Sequence, residues 1–156
     1  MELQPTVGTL TARLFSNEHI GLPLTLFFDI DLPVQPFEFN GEPQETSIRL
    51  EFIEIPVGDW REIFGQSFRF PINPEPGYID GSVYIGNAHN PVDVRQIRFA
   101  QAAGNRVPIV ADICVDFTQE GPPELGQLQR EWVTTVEFDE SALDQVFQEA
   151  RVRGVR

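Results

Sequence analysis

Hydrophobic and polar residues alternate strictly along two long segments of the chain. In residues 24–32 the even-numbered positions are apolar, and in residues 107–117 the odd-numbered positions are apolar. Because successive side chains of a β-strand point to opposite faces, each segment predicts a strand with one buried face and one polar face. Strands of this kind are typical of antiparallel sheets that cover a core on one side.

Weaker alternation recurs between clusters of proline, glycine and asparagine, which favour turns. These weaker segments are Gly8–Ser16, Ser47–Ile55, Gln66–Phe70, Ser82–Ile85, Val92–Phe99 and Leu128–Phe138. Residues 33–44 and 71–77 contain too many prolines for central strands and are predicted to be ordered loops or edges. A hairpin turn is predicted at residues 102–105, around Gly104. The pattern therefore predicts an all-β fold, an antiparallel β-sandwich of about eight strands.

The C-terminal segment has helical periodicity instead. An imperfect capping box at Ser141–Asp144 opens a predicted helix over about residues 141–152. Its apolar residues recur at the spacing of one helical face, which is expected to pack on the sheet. A second capping box, Asp59–Glu62, predicts a single helical turn. We expect one globular domain over residues 1–156, because no linker or internal repeat interrupts the pattern.

Charge is the most unusual global feature of the composition. The chain has 24 acidic residues against 11 basic ones, a net charge of −13, and every basic residue is an arginine. Catalysis by lysine is therefore excluded, and nucleic acid or an anionic membrane is disfavoured as a partner. No segment approaches the roughly 18 to 20 continuous apolar residues of a membrane span. An acidic surface attracts basic proteins, so a basic protein is the expected partner.

Histidine and cysteine are too scarce for most catalytic or metal sites. His89 lies in the segment GNAHNP, where the neighbouring asparagines and proline predict a hairpin turn. With two histidines and one cysteine in the chain, no zinc site is predicted. Cys114 lies between Asp112 and Asp116, which should raise its pKa and leave the thiol inert. The single cysteine and the start MELQPTVG, which lacks a secretory pattern, favour a cytoplasmic protein.

The remaining polar and aromatic residues suggest binding rather than catalysis. Asp29, Asp31, Asp112 and Asp116 would form one acidic patch if their two strands were neighbours. Three aromatic residues would serve as anchors if they are exposed near acidic groups, and these are Phe37, Phe39 and Trp60. The leading hypothesis is a non-enzymatic protein that masks a basic partner, like an immunity protein that inhibits a toxin. No cofactor is expected.

Two other classes of function stay open. One is a β-sandwich module that binds calcium or a small ligand such as a carbohydrate, although no D-x-D-x-D-G loop is present. The other is a structural subunit of a larger assembly, for which homo-oligomerisation would be the first sign. An enzyme has the least support, because the chain lacks G-x-S-x-G and glycine-rich phosphate-loop motifs.

Overall fold

A computed structural model describes residues 2–155 and shows a sandwich-like all-β fold with one C-terminal helix. The predicted fold class is thus confirmed. The strands are β1 (Gly8–Asn17), β2 (Leu22–Pro33), β3 (Phe37–Phe39), β4 (Glu42–Gln44), β5 (Ser47–Ile53), β6 (Ser67–Arg69), β7 (Asp80–Ile85), β8 (Ala88–Phe99), β9 (Arg106–Asp116) and β10 (Gln127–Glu137). Short 3-10 helices lie at Glu18–Ile20, Trp60–Ile63 and Pro123–Leu125, and the helix α1 is Glu140–Val152.

Hydrogen bonding joins eight strands into one sheet, in the order β6-β8-β7-β5-β2-β1-β10-β9. Because β9 also pairs with β8, the strands β1, β2, β5, β7, β8, β9 and β10 follow one another in a closed ring. The first half of β8 pairs with β7 and its second half with β6. All these pairings are antiparallel except that of β1 with β10, where Gly8 lies beside Val136 in parallel.

The core fills the inside of this ring. The alternating apolar positions of β2 and β9 point inward as predicted, and Phe28 and Ile113 are each 1% exposed. Helix α1 contributes Leu143, Phe147 and Ala150 to the same core, as its periodicity predicts. Phe147 packs on Phe28 with ring centroids 5.7 Å apart.

The start of α1 differs slightly from the prediction. The N-cap is Asp139, whose carboxylate accepts a hydrogen bond from the Ala142 amide at 3.1 Å, so the helix begins at Glu140 rather than at Ser141. An aspartate satisfies a free amide of the first helical turn as well as a serine does, and Asp139 lies nearer to the end of β10.

The two proline-rich segments are loops or edges, as predicted. Residues 71–77 contain no strand, as expected. The segment 33–44, predicted to be a loop or an edge, contains the hairpin of β3 and β4, which forms a separate two-stranded sheet and so has only edge strands. Asn40 and Gly41 connect these strands with φ values of 53° and 77°, as a two-residue type I′ turn requires. The hairpin forms because Asn-Gly adopts positive φ easily, and edge strands tolerate the neighbouring prolines.

No helix in residues 2–155 has the length and the hydrophobicity needed to cross a bilayer.

Candidate binding surface

The four aspartates selected from the sequence lie on β2 and β9, which are not neighbours. Strands β1 and β10 separate them along one side of the ring. Asp29 and Asp31 therefore do not join Asp112 and Asp116 in the way the prediction required. Alternation defines which face of a strand a residue occupies, but strand order is decided by long-range pairing.

The other side of the ring connects the same residues through three acidic strands. Glu51 of β5 lies opposite Asp80 of β7, and Asp93 of β8 lies opposite Cys114 of β9. The pair Gly81–Val92 places Asp80 beside Asp93 on the outward face of the ring. Five consecutive strands thus carry outward carboxylates, which we call the acidic belt: Asp29, Asp31, Glu51, Asp80, Asp93, Asp112 and Asp116.

The belt is wide enough to face a protein partner. Its strands are separated by four interstrand spacings, or about 19 Å along the surface at about 4.8 Å per spacing. Asp80 is exposed, and the other belt residues are half-buried. At one end, Asp116 accepts hydrogen bonds from the amide and hydroxyl of Thr118 at 2.9 and 2.6 Å. These bonds lower the pKa of Asp116 and keep its carboxylate charged.

Burial and neighbouring carboxylates raise the pKa of two groups of the belt region on β8 and β9. Burial raises the pKa of Asp93, and the nearby charge of Asp116 raises it further, while Arg95 acts in the opposite direction. Burial likewise raises the pKa of the Cys114 thiol, with additional contributions from Asp93 and Asp116. This confirms the predicted direction for Cys114, whose thiolate form is disfavoured.

The β2 end of the belt is partly neutralised. Arg13 contacts Asp29 at 2.8 Å and Glu51 at 3.4 Å, and its guanidinium lies 4.3 Å from the centre of the Phe52 ring. Phe52 has a φ of 59°, unusual for a bulky residue, and its amide donates to Asp29 at 3.1 Å. A cleft of about 290 Å³ opens here, and it is also lined by Arg49, the cross-strand partner of Asp31. The excess negative charge therefore lies towards β7, β8 and β9.

Trp60 was proposed as an anchor on the condition that it is exposed, and the structure does not meet that condition. Its side chain is 1% exposed, and its indole Nε1 donates to Asp144 of α1 at 2.9 Å. Arg61 stacks over the Trp60 ring at 4.1 Å and also bonds to Asp144 at 3.1 Å. These contacts hold α1 to the segment before β6, so Trp60 has a structural role. The sequence did not reveal this because its partner lies 84 residues away.

The two phenylalanines of the β3–β4 hairpin are half-buried. Phe37 and Phe39 pack against the core and leave part of each ring accessible. The exposed aromatic residue on the outward face is Tyr84, which is 52% exposed and lies on the same face of β7 as Asp80. Its place in the weak alternation of residues 82–85 was the only sequence signal that pointed to it.

His89 lies in a strand rather than in the turn itself. The predicted hairpin exists, but Gly86 and Asn87 form its turn, and His89 is opposite Tyr84 on β8. The His89 ring contacts Tyr84 edge-on at 5.3 Å, and Nδ1 is 3.8 Å from a carboxylate oxygen of Glu120. His89 lies two residues beyond the turn because asparagine and proline favour turns but do not determine where the paired strand begins. Across residues 2–155 no three histidine, cysteine or acidic side chains are grouped to hold a metal ion.

These features describe an all-β domain with outward carboxylates on five consecutive strands and an exposed tyrosine on β7. No protein-family model, curated protein or solved structure matches the chain.

Proposed function

We propose that this protein binds and masks a basic partner protein and that the acidic belt is its binding surface. The observation that carries the proposal is the register of β5, β7, β8 and β9, which brings carboxylates of distant segments onto one outward face. A net charge of −13 adds a long-range attraction for basic proteins. Masking would suit an inhibitor such as an immunity protein that blocks a toxin.

Binding would proceed in two stages. The belt accelerates encounter with the partner, because complementary charge raises association rates. Tyr84 then supplies an aromatic contact near the belt, of the type that dominates affinity at interface centres. Since Asp80 and Tyr84 share the outward face of β7, a partner covering β7 to β9 would reach both.

The first experiment is affinity capture from a lysate of the source cells, washed in parallel at low and high salt. The test variant carries Asp80→Asn, Asp93→Asn and Asp112→Asn, which keep side-chain size and remove three charges from three adjacent strands. We expect wild type to retain a basic protein that high salt thins, because salt screens exposed charges. The variant should lose that protein. With the purified partner, its association rate should fall about tenfold at low salt and approach the wild-type rate at high salt.

A matched control variant carries Glu42→Gln, Glu75→Gln and Glu124→Gln. These three glutamates are exposed, lie outside the belt and give the same change in net charge. The control should retain the partner like wild type. Equal retention by the belt variant, or equal loss by both variants, would remove the belt from the mechanism. For masking itself, the partner's own activity must fall when stoichiometric wild-type protein is added.

A further inference from the structure

Another cleft opens on the outside of the ring, beside the β3–β4 hairpin. Tyr84 of β7, Arg49 of β5 and the two residues before β5, Glu45 and Thr46, line it together with apolar residues of the segment 33–36. Its volume is about 680 Å³, which is within the roughly 300–1,000 Å³ of sites that hold small molecules. We call it the Tyr84 cleft.

Hydrogen bonds between distant segments hold the walls of this cleft in place. The Thr46 hydroxyl donates to the backbone oxygen of Tyr84 at 2.6 Å, and the Thr46 backbone oxygen accepts from the Val34 amide at 3.0 Å. The Gly86 amide donates to the Gln44 side chain at 2.7 Å. These bonds connect β7 to the end of the hairpin and to the segment after β2. A ligand therefore enters a preformed cleft and does not lose free energy in ordering its walls.

The cleft holds one unpaired cation and one unpaired anion. Arg49 and Glu45 form no ion pair with each other or with any other residue of 2–155, although Asp31 lies opposite Arg49 on β2. A guanidinium only donates hydrogen bonds, and a carboxylate only accepts them. An anion attracted by Arg49 is repelled by Glu45, and a cation meets the reverse. The ligand that satisfies both groups is a neutral one that donates and accepts hydrogen bonds.

Tyr84 adds an aromatic surface to these two groups. Its side chain is 52% exposed, and it lies on the same outward face of β7 as Ser82, which is opposite Arg49. Diagonal neighbours of this kind are about 7–8 Å apart, so a ligand of one or two rings reaches both side chains. The segment 33–36 supplies an apolar wall. The cleft thus combines an aromatic ring with hydrogen-bonding groups of both kinds.

We propose that the Tyr84 cleft binds a neutral saccharide. A sugar ring has an apolar C–H face that packs on an aromatic ring, and its hydroxyls both donate and accept, as the hydroxyl of serine does. The sugar ring lies on Tyr84, one hydroxyl accepts from Arg49, and a neighbouring hydroxyl donates to Glu45. None of the carboxylates of the acidic belt takes part. The cleft shares only Tyr84 with the proposed protein interface, so a bound saccharide competes with the basic partner for that side chain.

Titration of the full chain followed by NMR tests the proposal. The probes are cellobiose, maltose, lactose, mannobiose and N,N′-diacetylchitobiose, with the uronic-acid analogues of the first three. At least one neutral disaccharide should bind with a dissociation constant on the order of 1 mM, as expected for a small ligand in an open cleft. An acidic analogue should bind several-fold more weakly than its neutral parent, because Glu45 repels its carboxylate.

Two variants assign the binding to the cleft. Arg49→Met keeps the length of the side chain and removes its donors, so the affinity should fall at least about tenfold. Glu45→Gln removes the repelling charge, so the acidic analogue should then bind at least as tightly as the neutral sugar. The control Arg69→Met makes the same charge change at an exposed arginine of β6, outside the cleft, and it should bind like wild type.

Failure of all five neutral disaccharides to bind would overturn the proposal, as would an Arg49→Met chain that binds them like wild type. Equal losses in Arg49→Met and Arg69→Met would show a general effect of charge and would overturn it too. Tighter binding of an acidic analogue by wild type would show an anion site at Arg49 instead. The belt variant should bind the saccharide like wild type, so the acidic belt and the Tyr84 cleft can fail separately.

Discussion

Gly8 is the position where the closure of the strand ring can be tested most directly. Strand β1 lies between β2 and β10, and Gly8 is its first residue, paired in parallel with Val136. A Cβ atom at Gly8 would lie 2.3 Å from the backbone oxygen of Asp31 and 3.0 Å from a methyl carbon of Leu32. Because a backbone oxygen in a paired strand cannot rotate away, Gly8→Ala must push β1 from β2.

The expected effect is a loss of about 1–3 kcal/mol in the free energy of unfolding, the usual range for forcing extra atoms into a packed site. For a chain of this size that corresponds to a fall in Tm of about 2–12 °C, at about 2–4 °C per kcal/mol. Thermal and urea unfolding followed by circular dichroism would measure both quantities.

The matched control is Gly58→Ala. Gly58 is exposed, and the nearest atom to a Cβ there is a carboxylate oxygen of Glu62 at 3.7 Å. Alanine should therefore be neutral or stabilise the fold by up to about 1 kcal/mol, because it restricts the unfolded chain. If Gly8→Ala unfolds at the same temperature as Gly58→Ala, the close approach of β1 to β2 is wrong.

Two further predictions concern titrating groups. Hydrogen bonds from Arg61 and then from the Trp60 indole lower the pKa of Asp144, so its contribution to stability is present above the unfolded value of about 3.9 and is lost as the pH falls through the lower folded value. Asp144→Asn should therefore lose less Tm than wild type between about pH 5 and pH 2.5, and parallel curves would contradict the role of this carboxylate. Cys114 should alkylate slowly with iodoacetamide at pH 7.5 because its pKa is raised. Asp93→Asn should accelerate the reaction several-fold and Asp80→Asn should not, whereas equal rates would show that Asp93 does not act on the thiol.

Only part of the candidate site was accessible to sequence reasoning. Asp29, Asp31, Asp112 and Asp116 could be placed on outward faces because each lies in a strict alternating segment. Glu51, Asp80 and Asp93 lie in shorter or irregular segments, and nothing in their spacing shows that they come together. The pairing of β5 with β7 brings Glu51 and Asp80 together, although they lie 29 residues apart in sequence. Asp80 and Asp93 are neighbours because β7 pairs with the start of β8 without a bulge.

The aromatic residues show a similar division. Trp60 and Phe37 carry no local pattern that separates a buried ring from an exposed one. Trp60 became buried because α1, from the far end of the chain, supplies Asp144 as the partner of its indole. Tyr84 remained exposed because its strand turns that face away from the core.

The sequence by itself determined the class of fold, the inward face of each strong strand, the apolar face of α1 and the acidic charge of the surface. These follow from local periodicity and composition, which depend only on residues close together in the chain. The tertiary structure alone decided the order of the strands, the parallel contact of β1 with β10 and the acidic belt. Each of these depends on which distant segments pair and in what register, and that choice is made by the packing of the whole core.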